Sequence, residues 1–437
     1  MECTYKDKNM NCKSLFFIYA VAMCFQSIHA EESDVKVTPS GFAYYQIGQL
    51  VSTSDPTGAI TGLPDKSWDQ HANFRLTLEG IVRERLRIIA GVELGIATFA
   101  GGAGAPATVK TAFSLKEAQG IYSFGEDLRN PPLQIALGYF PFKYNPQATN
   151  MGEYLFSYRT GAYAPYIIND FDNCKSRLLG LRVSSTLLGG LRQDLLLTSE
   201  MSVGNTTSGT TDFGTTANTA VGDYSLSYLI GYKFTNIFDI GAGISLNRLL
   251  SIDPSQTNPG DTVYNTNGDK VPLTWKSTRL MARVTFDPKH FLSEDFLNLL
   301  GKEDGKLYAE TAILGVKNYD TVYNDISKRW PIMMGIDVPV FKTLDFLSLE
   351  MEYFGWTGNL SILQAPTPNL TQDEYSEQQM FRWSIFAQKT LVKGLCVKWL
   401  VGKDHFRTVD AGGSVTNEEL LRGNGNWHYN LRFMYQF

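Results

Sequence analysis

The last eleven residues, Trp427 to Phe437, alternate in character almost without interruption. The odd positions are Trp427, Tyr429, Leu431, Phe433, Tyr435 and Phe437; the even ones are His428, Asn430, Arg432, Met434 and Gln436. A β-strand turns successive side chains to opposite faces, so this segment carries an aromatic ribbon on one side and a mainly polar one on the other. In water, such an edge would template aggregation unless a second sheet covered it. Between lipid and water the pattern is satisfied as it stands. Aromatics at both ends, with Leu431 and Phe433 between them, reproduce the girdle, core and girdle of a membrane-spanning strand about ten residues long.

The beginning of the chain fits the same destination. Lys6, Lys8 and Lys13 precede the apolar run Leu15 to Phe25, and Ser27-Ile28-His29-Ala30 gives way to Glu31-Glu32, the pattern of a secretory signal peptide cleaved after Ala30. Residues 1–30 are therefore expected to be a leader and 31–437 the barrel domain. Three of the five cysteines lie in the leader; Cys174 and Cys396 remain, too few for a disulfide framework or a cysteine metal cluster, and either one bridge or two free thiols.

Composition separates the two membrane classes. Mean hydropathy is −0.16, and past the leader no apolar stretch approaches the ~18 residues a spanning helix needs. A barrel tolerates this average because lipid-facing and lumen-facing residues alternate and cancel. A soluble chain this long usually divides into domains, since single cores stop growing near ~250–300 residues, whereas a barrel grows in circumference. The net charge of −5 argues against a nucleic-acid partner.

Strand-like segments recur near 41–49, 71–80, 85–97, 111–124, 132–140, 175–185, 190–203, 222–234, 237–250, 275–286, 306–317, 331–340, 344–354, 380–390, 395–405 and 427–437. The fold class is all-β: a transmembrane antiparallel barrel of about 16 strands, with 14 or 18 as alternatives. Long connections (50–70, 141–174, 204–221, 251–274, 355–379, 406–426) alternate with short ones at Gly80 to Glu84, Glu126 to Pro131, Leu187 to Gly189, Thr235-Asn236, Phe341 to Thr343 and Leu391 to Gly394. Barrels of this kind keep short turns in the periplasm and long loops outside. One short-turn position is overlong: Pro288 to Asp304 holds Phe291-Leu292 and Phe296-Leu297-Leu299-Leu300, either a small amphipathic helix on the rim or an irregular turn.

Within the strands, charge falls on one face. Phe74, Leu76 and Leu78 oppose Asn73, Arg75, Thr77 and Glu79; Leu280, Ala282, Val284 and Phe286 oppose Arg279, Met281, Arg283 and Thr285; Leu347, Leu349, Met351 and Tyr353 oppose Ser348, Glu350 and Glu352. Arg or Lys on the lipid face at mid-membrane costs roughly 2–4 kcal/mol, so these charges point inward. The expected lumen-lining set is Arg75, Glu79, Arg85, Arg87, Glu93, Arg182, Arg279, Arg283, Glu310, Glu350, Glu352, Arg382 and Arg432. At this strand number the lumen is wide enough for an aqueous channel.

The segment Gly138-Tyr139-Phe140-Pro141-Phe142-Lys143-Tyr144-Asn145-Pro146 resembles the corresponding stretch of specific porins of the phosphate- and alginate-channel type, and the strand closed by Phe433, Tyr435 and Phe437 resembles the C-terminal assembly signature of Gram-negative outer-membrane barrels. The resemblance covers about ten residues there plus the terminal strand and the loop rhythm. It implies a third external loop folded into the lumen, with Lys143, Glu153 and Arg159 at the constriction, reading of the terminal strand by the barrel assembly machinery, and a homotrimer. The chain departs from the phosphate-channel pattern in having no dense run of Lys or Arg. From the residues alone, 141–174 is the longest loop and is rich in aromatics, which suits packing against the inner wall; the alternative is a loop covering the mouth.

The expected activity is passive passage of small hydrophilic solutes, without cofactor or metal, the barrel seated in outer-membrane lipid. Arg159, Arg279 and Arg283 are the arginines a permeating anion is expected to meet. An adhesin or structural surface barrel is the alternative, since a loop such as Thr206-Thr207-Ser208-Gly209-Thr210-Thr211 could bind a surface. A barrel hydrolase is more distant: past the leader the chain offers His71, His290, His405 and His428, with no nucleophile motif beside them.

Overall fold

Sixteen segments that alternate in polarity, each hydrogen-bonded to the next in chain order, leave two unpaired edges unless the last meets the first. Here they meet. The computed structural model describes residues 35–52, 66–99, 108–125, 131–156, 167–169, 174–187, 190–199, 224–235, 237–250, 262–264, 267–272, 276–316, 326–354, 380–403 and 427–437. Its ring strands are β1 (Val35–Ser52), β2 (Trp68–Val82), β3 (Leu86–Phe99), β4 (Thr108–Phe124), β5 (Leu133–Phe142), β6 (Cys174–Leu187), β7 (Leu191–Ser199), β8 (Tyr224–Phe234), β9 (Phe238–Leu250), β10 (Ser277–Phe286), β11 (Leu307–Ile313), β12 (Ile332–Asp337), β13 (Phe346–Phe354), β14 (Met380–Val392), β15 (Leu395–Lys403) and β16 (Trp427–Gln436). All neighbours are antiparallel, and β1 pairs with both β2 and β16, which closes a 16-strand barrel. A short strand, Ile167–Asn169, pairs with the start of β6, and Thr262–Tyr264 pairs with Lys270–Pro272 in a separate two-stranded sheet.

The terminal residue takes part in the closure. Phe437 N donates to Gly41 O (3.1 Å) and Gly41 N to Phe437 O (3.0 Å), while the Phe437 ring stacks on Phe74, centroids 5.8 Å apart. Along β16 the even residues His428, Asn430, Arg432 and Met434 are buried, and Phe433 and Tyr435 are about half exposed. The other strands repeat this, with Phe74, Leu94, Phe113, Leu137, Ile240 and Met334 standing on the outer face. Burial here means the lumen side, because the exterior band of a barrel has only solvent or lipid to meet.

Two local features depart from simple alternation. Arg83 and Glu84 both adopt left-handed backbone, so Arg83 to Arg85 form the turn between β2 and β3. Arg85 is thereby an exposed turn residue and not a wall residue: strand pairing starts at Leu86, opposite Val82. In β4 the register slips between Gly91 and Val92 of β3, which pair with Glu117 and Leu115 and leave Lys116 as a bulge. An extra residue re-aims the strand, so Lys116 and Glu117 both reach the interior although they are consecutive.

Between β10 and β11 the overlong connection contains a 3-10 turn (Pro288–Phe291) and an α-helical turn (Glu294–Leu297). Cys396 is buried on the inner face of β15. Residues 1–34, including the leader, and the loops 200–223, 355–379 and 404–426 lie outside the described residues.

Candidate functional site

The chain leaves β5 at Phe142 and turns into the barrel instead of over its rim. Phe140 and Phe142 are buried inward-facing residues of β5, and Phe142 meets Phe156 edge-on at 5.4 Å, so the loop starts on an apolar ledge. Ala148, Met151, Tyr154 and Leu155 are 0% exposed and pack with Leu229, Met281, Tyr308, Ala312, Leu314 and Met333. The last six come from β8 and from the β10–β12 wall across the lumen. A wall facing water would not place methionine, alanine and leucine inward; this one does because residues 144–156 cover it.

Buried carboxylates clasp the loop to that wall. Glu350 of β13 accepts from Thr149 N (2.5 Å) and Tyr308 Oη (2.9 Å) at Oε1, and from Asn150 N (2.7 Å) and Met151 N (3.0 Å) at Oε2. Glu310 of β11 accepts from Asn145 Nδ2 (3.1 Å) and Tyr154 N (3.2 Å). Glu352 accepts from Tyr154 Oη and pairs with Arg382 Nη1 at 2.8 Å. Arg279 Nη1 donates to Leu155 O (3.2 Å), and Asn150 Nδ2 to Ser384 Oγ (3.3 Å). A loop backbone lowered into a barrel has orphan N–H groups, and carboxylates on the wall are the strongest acceptors for them.

The loop also braces itself. Glu153 Oε1 accepts from Tyr144 N (2.6 Å) and Asn145 N (2.9 Å), and Lys143 Nζ donates to Ala148 O. Burial, reinforced by the adjacent Glu310 carboxyl, pushes the Glu153 carboxyl well above the usual carboxylate range. Gly152 has φ +87° and touches the wall so closely that a Cβ would lie 2.7 Å from Glu310 Oε2. Only glycine accommodates both constraints.

The arc of the wall that residues 143–156 do not clasp has a different chemistry. Arg432 of β16 lies 3.8 Å over the Tyr44 ring and donates to Gln46 Oε1 (3.0 and 2.7 Å), while Lys398 of β15 is its direct cross-strand neighbour. Arg75 lies 4.7 Å over Phe42 and pairs with Glu93 at 2.6 Å; Lys116 reaches the same Glu93 at 3.3 Å. Arg182 lies 5.5 Å over Phe140. Against these five cations the same arc carries the carboxylates Glu93, Glu117 and Asp194. Cations packed on aromatic faces hold a fixed position at little entropic cost.

Between the two halves, Arg283 bridges to Asp239 (3.0 Å), which also holds Arg192 (2.8 Å), and lies 5.3 Å from the Tyr144 ring. Gly241 makes room for it: a Cβ there would stand 2.9 Å from both Arg283 Nε and Tyr144 Oη.

The expected lining residues thus divide four ways, Arg283 standing between the two halves. Arg75, Glu93, Arg182 and Arg432 lie on the arc that the loop does not clasp, with Glu79 and Arg87 bonded to each other (2.6 Å) and half exposed near the short-turn end. Arg279, Glu310, Glu350, Glu352 and Arg382 are 0–1% exposed beneath the loop, so they hold it and meet no solvent. Arg85 is in a turn, and Arg159 lies outside the described residues. Of the constriction residues, Lys143 and Glu153 sit within the lumen loop. Sequence reading missed Lys116, Glu117, Lys398, Asp239, Asn145, Tyr154 and Tyr308. Lys398 and Asp239 were legible from strand parity; Lys116 was not, because its face depends on the bulge.

No family model and no curated protein matches the chain. Among solved structures, OprB of Pseudomonas putida, determined at high pH, aligns over 92% of this chain and 94% of its own with 9% identity and a TM-score of 0.52. A substituted porin of Rhodopseudomonas blastica aligns over 92% of this chain and 100% of its own with 8% identity and a TM-score of 0.43. At such identities the likeness concerns fold alone. Together with ring closure at sixteen strands, the alignment with OprB gives this chain the fold of a porin-like β-barrel.

Proposed function

We propose that the protein is an outer-membrane channel through which small hydrophilic solutes diffuse passively, with a preference for anions. The single observation that carries this is the division of the lumen wall: one arc covered by a loop clasped by buried carboxylates, the other carrying Arg75, Lys116, Arg182, Lys398 and Arg432. A plug fills a barrel; a loop fastened to one wall narrows it and leaves a passage. Fixed positive charge along that passage raises the local concentration of anions and orients dipolar solutes. On this reading residues 1–30 are the export leader, the exterior band meets outer-membrane lipid, the strand ending in Phe433, Tyr435 and Phe437 is presented to the barrel assembly machinery, and a homotrimer is the assembly the porin resemblance implies.

Purified, refolded protein in a planar bilayer with a salt gradient tests it. Stepwise open-channel currents with a reversal potential on the anion-selective side are expected. Absence of conductance at every voltage would refute the channel and leave a surface barrel with adhesive loops as the better account.

A further inference from the structure

The connection between β10 and β11 presents apolar side chains in two directions. Asp287 caps its first turn by accepting from Lys289 N (3.1 Å), and the α-helical turn Glu294–Leu297 follows. Leu300 is buried against the barrel and Leu297 half-buried, three residues apart on one face. Phe296 and Leu299, equally three apart, form a second face and are 42% and 55% exposed, and Phe291 is 67% exposed. A helical turn that is apolar on both sides has one face too many for an aqueous rim.

The surplus face continues the exterior band of the barrel. The Phe291 ring lies 6.4 Å from Phe286, the last residue of β10, and Phe286 lies 5.0 Å from its cross-strand partner Phe238 on β9. The neighbouring turn adds Phe341, 53% exposed, and is tied to the segment by Lys342 Nζ donating to Asn298 O (2.6 Å). Lys302, its side chain 91% exposed, and the exposed Lys342 flank the apolar cluster. Aromatic and Leu side chains bordered by lysines form the profile of a segment lying in a membrane interface, the lysines at the level of lipid phosphates.

We propose that residues 288–300 lie in the lipid interface at the short-turn end, with Phe291, Phe296 and Leu299 immersed at the headgroup–acyl boundary and Glu294 facing water. The occupant of this face is phospholipid. Unbroken ring-to-ring continuity with the exterior band, together with the flanking positive charge, favours lipid over a protein surface. The proposal rests on the membrane reading above, and its test separates the two.

In a Cys174→Ser, Cys396→Ser background, single cysteines are placed at Phe296, Leu299, Glu294 and, as a band control, Met334, which is 61% exposed on the outer face of β12. Each is labelled with bimane after heat-modifiable migration confirms folding, and reconstituted in phosphatidylcholine liposomes with or without lipids brominated high on the acyl chain. Labels at 296 and 299 should be blue-shifted and quenched several-fold more strongly than the label at 294, which lies on the opposite side of the helical turn. If Phe296→Cys does not fold, Leu299→Cys carries the comparison. Quenching at 334 with none at 296 or 299 overturns this proposal and leaves the membrane barrel standing. No quenching at 334 overturns both. A blue shift at 299 without bromine quenching, accompanied by crosslinked dimers, would assign the face to a second copy of the chain and overturn the lipid assignment.

Discussion

Replacing Glu350 by glutamine changes almost no volume and removes the acceptor on which the lumen loop is hung. Each carboxylate oxygen takes two donors: Thr149 N and Tyr308 Oη at Oε1, Asn150 N and Met151 N at Oε2. With its NH2 group on the Oε2 side the amide leaves Asn150 N and Met151 N without an acceptor; on the Oε1 side it leaves Thr149 N, since the Tyr308 hydroxyl can turn to accept, so at least one buried backbone donor is left unsatisfied. A bond to a charged acceptor is worth about 1.5–3 kcal/mol, so the docked loop loses at least that much. At 1.4 kcal/mol per factor of ten, that is roughly 10–10² in the docking equilibrium. The rest of the wall is untouched, and the barrel should still assemble and migrate as a heat-modifiable species. In planar bilayers Glu350→Gln should show noisier current and a larger mean unit conductance than the natural protein, and in detergent a protease that cuts after lysine should cleave faster at Lys143. Glu350→Asp, which keeps the charge one methylene short, should fall between. Equal noise, equal conductance and equal protease resistance in the glutamine variant would refute the clasp.

Docking raises the Glu153 carboxyl above its value in a released loop, so the docked state holds that proton more tightly; seating is strongest below the ordinary carboxylate range and weakens as pH climbs through the raised value. Channel noise should therefore rise between about pH 5 and about pH 9, and Glu153→Gln, which mimics the protonated form, should flatten the dependence; a profile unchanged by the substitution would refute it. Arg75→Ala with Arg432→Ala should move the reversal potential toward cations, more at low salt where screening is weak, whereas Arg279→Ala should alter noise before selectivity because that side chain lies under the loop. Deleting Phe437 removes two backbone bonds and a ring contact at the closure seam, and Leu431→Arg places charge on the lipid face at roughly 2–4 kcal/mol; both should lower the heat-modifiable fraction in the outer membrane, and unchanged levels would contradict the strand parity. Tags within 204–221 or 355–379 should be reached by antibody on intact cells and tags at Lys342 or Val392 should not; the reverse would invert the orientation.

What the sequence determined by itself is the barrel. Strand parity is a local property with a period of two, and the penalty for charge in lipid is large enough to assign a face to Arg75, Arg279, Glu350 or Leu431 with no knowledge of neighbours. The closing Phe437, the sixteen segments and the loop rhythm follow from the same arithmetic. Where a single inserted residue breaks the period, as at Lys116, the reading fails, because a bulge is set by pairing with Gly91 and Val92 more than twenty residues earlier. Only the tertiary structure decided what the inward charges do. Glu310, Glu350 and Glu352 share their face with Arg75 and Glu93, yet the first two grip loop backbone, Glu352 takes the Tyr154 hydroxyl, and the last two pair with each other. A faint trace existed in the sequence: Met281, Ala312 and Met333 sit at inward positions where a wet wall would be polar. That trace says a wall is covered without saying by what, since the partner is a loop some 130 to 200 residues away whose path depends on turns at Gly152 and Glu153 and on hydrogen bonds that exist only once the ring has closed.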